Sequence, residues 1–330
     1  MLLAADIGGT KSTLALFEGR PEGLRLVREA TFRSREFPGI EPLVASFLET
    51  AEGTLEAACF GVAGPVLDNH AVTPNLPWNV DGKELARAAG IPRLELIGDL
   101  VATAAGIPLL NEDEVVTLQA GRPRHDGSAL VLAAGTGLGA AILPGPDGAG
   151  EPLPSEAGHM DFAPRNEEEI GLLRFLAERF GSVSLERVLS GPGLVHLYQY
   201  VRERSGRSGD SSLLAELEES CDPGRVIGEA AATGRCPSCV RALELFVDVF
   251  GAAAGNLALA TLATRGVYLG GGIPPKILPQ LRAGRFLDSF VDKGRFRGFL
   301  EAVPVYVLRN PKTALLGAGR RAALLAASNA

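Results

Sequence analysis

The chain has 330 residues, of which 46% are hydrophobic and 22% charged, and its net charge is −7. That is the composition of a folded globular protein, and it is too long for one hydrophobic core, so two lobes are expected. The acidity argues against a nucleic-acid binder, which carries a basic face, and four cysteines are too few for a disulfide framework at this length, which favours a reducing cytoplasm.

The first element is the apolar run Leu2–Ala5, followed by Asp6-Ile7-Gly8-Gly9-Thr10-Lys11 and a second run, Ser12–Phe17. With the first strand beginning this early, no secretory leader is expected. A strand, a glycine turn and a second strand present successive backbone N–H groups to a phosphate without any helix. An acid at the start of such a turn is placed to hold Mg²⁺, usually through water, because this ion keeps much of its hydration. Gly-Gly is also ordinary hairpin chemistry. Repetition favours the phosphate reading: Ala134-Gly135-Thr136-Gly137-Leu138-Gly139 lies in the apolar stretch 130–143, and Gly270-Gly271-Gly272 follows the strand pattern Gly266–Leu269. Such turns on separate strand pairs suggest a nucleotide gripped from both sides, hence ATP.

Between the first two turns, Ala57–Val62 reads as a strand ending in Gly61, Gly64 and Pro65, and Ala71–Thr73 as a short strand. Asp81–Ala89 reads as a helix with Asp81 as N-cap and Glu84 completing a capping box. Leu94–Ile97 is a strand leading into Gly98-Asp99 and the alanine-rich helix Leu100–Gly106. By local pattern Asp99 is an N-cap. Its functional reading is a general base that accepts the proton of a hydroxyl attacking a γ-phosphoryl group. Pro108 and Asn111–Glu114 mark a lobe boundary.

Beyond it come the strand Val115–Leu118, the strand pair 130–143 and a glycine- and proline-rich loop, Gly145–Pro154. Glu167–Phe180 has the stripe of an amphipathic helix, and helical patterns continue over Leu185–Tyr200, Ser211–Glu219, Pro223–Thr233 and Ser238–Ala263. Val249–Thr264 is weakly polar but is interrupted by Gly251, Gly255 and Asn256. It falls short of the roughly 20 apolar residues of a bilayer span and reads as a buried helix. Val303–Leu308 is a late strand, and the final helix, Thr313–Ala326, is expected to return to the first lobe. Glu156 and His159 follow the glycine-rich loop, and Glu186 follows Ser184 at a helix start. Each alone would be a solvated or dipole-favoured group. With Asn75 they form a set suited to a ligand carrying many hydroxyls. Cys236-Pro237-Ser238-Cys239 lacks the further ligands of a tetrahedral zinc site and reads as a buried pair at a helix start.

These residues resemble the bacterial glucokinase family of the actin-like, sugar-kinase ATPase superfamily, over nearly the whole chain. The resemblance rests on Asp6–Thr10, Gly98-Asp99 and Ala134–Gly139, on the longer runs Glu156–Pro164 and Glu186–Leu194, and on Leu269–Ile273 and Asp292–Phe296. It implies an α/β, two-lobed actin-like (ribonuclease H-like) fold with a cleft between the lobes. The small domain would cover 1–107, completed by about 308–330, and the large domain 108–307. The activity implied is ATP-dependent phosphorylation of the glucose 6-hydroxyl to glucose 6-phosphate, the first step of glycolysis, in a cytoplasmic homodimer without membrane or nucleic-acid partners. In that scheme Asp99 is the base and a sugar contact, and Asn75, Glu156, His159 and Glu186 bind the other hydroxyls. Asp6, Gly8, Gly9, Thr10, Gly135, Thr136 and Gly137 surround the phosphates and Mg²⁺, with Lys11 beside them, and Gly271 and Gly272 lie under the adenosine. Two positions depart from the family: Gly98 stands where members often have Asn, and Lys11 where Asn is common. The rivals are a kinase for another hexose or an amino sugar, a donor other than ATP such as polyphosphate, a non-catalytic sugar sensor, and an ATP-driven chaperone or filament protein.

Overall fold

The structure, a computed structural model, describes residues 1–73, 76–145, 150–205 and 211–328. The chain divides into two compact units. The first comprises Met1–Glu114, Ala141–Pro154 and Asn310–Ala330, and the second Val115–Ala140 and Ser155–Arg309.

The first unit contains β1 (Leu2–Ile7), β2 (Lys11–Arg20), β3 (Gly23–Arg33) and β4 (Ala57–Val62). A small antiparallel meander follows, β5 (Val66–Leu67), β6 (His70–Val72) and β7 (Asn79–Asp81), and then β8 (Leu94–Gly98). The main sheet has the order β3-β2-β1-β4-β8. β1 lies antiparallel to β2 but parallel to β4, with Asp6 opposite Gly61, and β4 lies parallel to β8, with Val62 opposite Gly98. The carboxyl ends of β1, β4 and β8 therefore come side by side, with Asp6 level with Gly61 and Ile97, and Gly98-Asp99 immediately beyond.

Successive residues of a strand point to opposite faces, so a strand buried on both reads as a continuous apolar run. In β1, Leu3, Ala5 and Ile7 enter a core with Phe47, Phe60 and Trp78, while Leu2 and Ala4 pack with Phe17, Leu315 and Ala318. The latter two belong to the helix Thr313–Ala327, which lies in this unit. That helix approaches the helix Asp99–Gly106 through glycines: a Cβ on Gly317 would stand 1.8 Å from the carbonyl oxygen of Ala102, and one on Gly106 2.1 Å from that of Thr313. No element is expected from the sequence between Phe17 and Ala57, yet the structure has β3 and the helix Ile40–Leu48 there. β3 is an edge strand with no buried residue, and its charged residues blur the alternation that marks a strand.

The second unit's sheet is built on β9 (Val115–Gln119), β10 (Ala129–Ala134), β13 (Gly266–Gly270) and β14 (Val305–Leu308). β11 (Leu138–Leu143) and β12 (Leu153–Ser155) complete the order β12-β11-β10-β13-β14-β9. β10, β13 and β14 are parallel, with Ala133 opposite Gly270, and β9 runs antiparallel to β14. The helix Pro237–Thr261 is long and apolar enough to cross a membrane, but most of it is buried in this unit's core, around Phe246 and Phe250. Cys236 caps it, its sulfur accepting the Cys239 N–H at 3.4 Å, and both cysteines are buried.

One expected helix is corrected. Leu185–Tyr200 is not continuous: Leu185–Arg187 forms a short 3₁₀ turn, and the α-helix runs from Gly191 to Ser205. The buried Ser190 makes the break. Its hydroxyl accepts the Gly193 N–H at 3.0 Å and donates to the Glu186 carbonyl at 2.8 Å, which is capping geometry, and Pro192 suits the first turn.

Gly317→Ala should cost about 2 kcal/mol or more, because its Cβ meets a backbone carbonyl that no rotamer change can move. Gly298→Ala, with nothing within 4 Å of its Cβ, should be neutral or stabilising. Chemical unfolding of the two variants checks this; equal losses would contradict the packing account.

Candidate active site

In the first unit the turn after β1 is closed by the Gly8 N–H donating to the Lys11 carbonyl at 3.0 Å. A Cβ on Gly8 would stand 2.9 Å from that same oxygen, so the closure requires glycine. Thr10 and Lys11 are exposed, and Gly8 and Gly9 are half-buried. Among the described residues, no protein group accepts the N–H of Gly9 or Thr10. The turn thus has the amide-rich character expected of it.

Asp6 is half-buried directly before this turn. Burial, and then the negative charge of Asp99, push its carboxyl up to about 6. Two carboxylates that raise one another's cost of ionisation in a dehydrated place are a setting in which a cation is stabilising. Among the described residues no cluster of three or more His, Cys, Asp or Glu could hold a metal alone. The donor set therefore fits Mg²⁺ completed by water and phosphate oxygens rather than a closed protein cage.

Asp99 is the first residue of the helix Asp99–Gly106, and Gly98, with φ −63° and ψ 148°, is the cap. The N-cap reading of Asp99 is thus displaced by one residue. Its Oδ1 accepts the Leu100 N–H at 2.8 Å, which fixes the carboxylate's orientation. Gly61 permits the approach of this helix to the sheet: its Cβ would meet that of Ala102 at 3.0 Å and the Asp99 Cα at 3.8 Å. Around Gly98 there is room, the nearest atoms to a Cβ being Val101 Cγ2 at 3.8 Å and the Gly64 carbonyl oxygen at 4.0 Å. Asn75 lies outside the described residues.

The second unit carries a parallel arrangement. The turn after β10 is closed by the Gly135 N–H donating to the Gly137 carbonyl at 2.8 Å, with Thr136 exposed at its tip. Just after the adjacent strand β13, Gly271 has φ +85°, and a Cβ there would lie 2.3 Å from the Ala134 carbonyl oxygen. A Cβ on Gly135 would come within 3.7 Å of the Gly272 nitrogen, so the two glycine turns adjoin.

The runs 156–164 and 184–191 are tied to this turn and to each other. Gly191 N–H donates to the Gly135 carbonyl at 2.8 Å, Phe162 N–H to that of Val183 at 2.9 Å, and Leu185 N–H to that of Met160 at 2.8 Å. A Cβ on Gly158 would stand 1.8 Å from the Leu138 carbonyl oxygen. His159 Nε2 lies 3.9 Å from Glu156 Oε2, and both side chains are more than 60% exposed. Glu186 does more than the sequence suggests. Its Oε2 accepts the Leu138 N–H at 2.9 Å and would stand 2.5 Å from a Cβ on Gly137. One carboxylate oxygen thus belongs to the glycine turn, a role without any local signal because the partners lie far apart in the chain.

Comparison with known proteins decides the family. The glucokinase family matches residues 3–325. The chain belongs to the glucokinase family. A curated glucokinase from Nostoc punctiforme is 41% identical over 98% of this chain and 99% of its own, and one from Cronobacter sakazakii 36% identical over 96% and 95%. Among solved structures, the glucokinase of an Antarctic psychrotroph superposes with a TM-score of 0.85 at 32% identity, covering 97% of this chain and 98% of its own. A ROK family glucokinase from Streptomyces griseus, in complex with glucose and AMPPNP, shares the fold at a TM-score of 0.65 and 20% identity, over 97% and 98% of the two chains. The expected α/β sugar-kinase fold is therefore the observed one.

The raised Asp6 pKa has a defined pH signature. The folded state keeps this proton to higher pH than the unfolded chain, so protonated Asp6 contributes stability below about 3.8 that is lost as pH rises through about 6. Asp6→Asn, which needs no ionisation, should gain on the wild type between pH 4.5 and 7, by on the order of 1–2 kcal/mol for a partly exposed group. Urea unfolding at both pH values measures it; a constant difference would refute the assignment.

Proposed function

We propose that this protein transfers the terminal phosphoryl group of ATP to the 6-hydroxyl of glucose, acting as a cytoplasmic homodimer with Mg²⁺. Membership of the glucokinase family at 36–41% identity over nearly the full length supports the activity. The observation that carries the mechanism is Asp99 at the carboxyl end of β8, one strand removed from Asp6 and the Gly8–Thr10 turn.

In this reading Asp99 accepts the 6-hydroxyl proton as that oxygen bonds to the γ-phosphorus and the bond to the ADP oxygen breaks. The Leu100 N–H, donating to Oδ1 at 2.8 Å, would keep the carboxylate aimed. Backbone N–H groups of Gly8, Gly9 and Thr10 and of the Gly135–Gly137 turn receive phosphate oxygens, with Lys11 adding a positive charge. Gly271 and Gly272 leave room for the adenosine. Asn75, Glu156, His159 and Glu186 pair the remaining sugar hydroxyls, and a site that pairs each hydroxyl discriminates strongly against analogues lacking one. Asp6 would hold Mg²⁺ through water, and the ion when bound offsets charge on the phosphates.

Replacing Asp99 by Ala should lower kcat by about 10²–10⁴ while changing glucose affinity little, because proton acceptance is needed only during transfer. A coupled assay for glucose 6-phosphate and a glucose titration measure the two. A near-normal rate would remove Asp99 from the mechanism, and ATP consumption indifferent to glucose would remove the sugar.

Gly98→Asn should fold, since a Cβ there meets only ordinary van der Waals contacts, at 3.8 Å or more. The added amide, placed beside Asp99, should lower the KM for glucose a few-fold and leave that for ATP unchanged. Hexose kinetics of this variant against mannose and glucosamine check whether position 98 sets sugar preference.

A further inference from the structure

The Gly8–Thr10 turn is held from behind by a residue remote in sequence. Ser34 follows the end of β3 and is fully buried. Its backbone N–H donates to the Thr10 carbonyl at 3.1 Å, and its hydroxyl donates to the Gly8 carbonyl at 2.7 Å. The hydroxyl also lies 2.9 Å from that of Ser12, on β2, which is buried as well. A hydroxyl has one proton to give. Since Ser34 gives its proton to Gly8, the bond between the serines must run from Ser12 to Ser34. The result is a directed chain, Ser12 to Ser34 to the turn.

The carbonyls of Gly8, Thr10 and Lys11 are thereby engaged on the protein side, the first two by Ser34 and the third by the Gly8 N–H. The N–H groups of Gly9 and Thr10 have no protein acceptor among the described residues. The Gly8 carbonyl shares its peptide plane with the Gly9 N–H, so the Ser34 hydroxyl on that oxygen also sets the direction of the Gly9 N–H, and the bond from the Ser34 N–H to the Thr10 carbonyl anchors the far side of the turn. Donors held in place before a ligand arrives lose little on binding, whereas donors on a loose turn must first be ordered.

We propose that Ser34 is a positioning residue for nucleotide phosphate: its hydroxyl sets the turn whose amides receive the phosphate oxygens, without touching the ligand. The inference rests on the phosphate role given to this turn under the proposed function. It assigns to the two buried serines unequal parts, since only Ser34 bonds the turn, whereas Ser12 bonds only Ser34.

The test compares Ser34→Ala, Ser34→Thr and Ser12→Ala by thermal midpoint, by kcat, and by KM for ATP and for glucose. Ser34→Ala should raise the KM for ATP about five- to ten-fold, the effect of one buried hydrogen bond, and leave the KM for glucose within two-fold. Ser34→Thr keeps the donor and should stay near the wild type in KM for ATP. Ser12→Ala should lower the thermal midpoint as Ser34→Ala does while changing the KM for ATP less than two-fold. The proposal is overturned if Ser34→Ala leaves that KM unchanged, if Ser12→Ala shifts it equally, or if Ser34→Thr is as impaired as Ser34→Ala. A wild type that makes no glucose 6-phosphate would instead overturn the kinase reading, and the inference with it.

Discussion

Asp6 and Asp99 bring two negative charges close together in a half-dehydrated place, at the carboxyl ends of the parallel strands β1 and β8, which flank β4. For stability alone such a pair is a cost, because like charges disfavour one another's ionisation. The proposed function gives the pair a cation and a proton transfer to serve, and the rest of the first unit holds the two carboxylates together. The strands that carry it are buried on both faces, the helix Thr313–Ala327 closes one of them, and Gly61 lets Asp99 approach the sheet.

The phosphate recognition proposed for these turns would rest on main chain, where side chains are removed. At Gly8, Gly158 and Gly271 a Cβ would collide with a backbone carbonyl, so each glycine permits one segment of main chain to pass against another. What remains at the surface is main-chain polarity, which suits a ligand with many charged oxygens and costs no reorganisation. The acidic net charge of the chain is no obstacle to this, because directed amides act over bonding distance while the diffuse charge is screened by salt.

Glu186 shows how the second unit joins its parts. With one oxygen on the Leu138 N–H it forms part of the turn that follows β10, and as a carboxylate it retains acceptor capacity for a hydroxyl. In the proposed function, a group bonded to the turn while also offered to a sugar would link nucleotide and sugar recognition through one side chain. The bonds from Gly191 to Gly135 and from Leu185 to Met160 show why the long runs 156–164 and 184–191 act as one body with that turn.

The amino-acid order alone determined whatever depends on near neighbours. The apolar runs flanking Gly8-Gly9 and Gly135-Thr136-Gly137 give strand–turn–strand, the Asp81 cap starts its helix, and Gly98-Asp99 closes a strand and opens a helix. The motifs at 156–164 and 186–194 were likewise enough to place the chain in its family. Only the folded chain decided the pairings between distant residues: Ser34 behind the first turn, Glu186 on Leu138, Gly317 against Ala102, and the break at Ser190 in an apparently continuous helix. The physical reason is that a local pattern reports periodicity and backbone preference, whereas these contacts are set by sheet register and helix packing, which bring together residues that carry no mark of one another in the sequence.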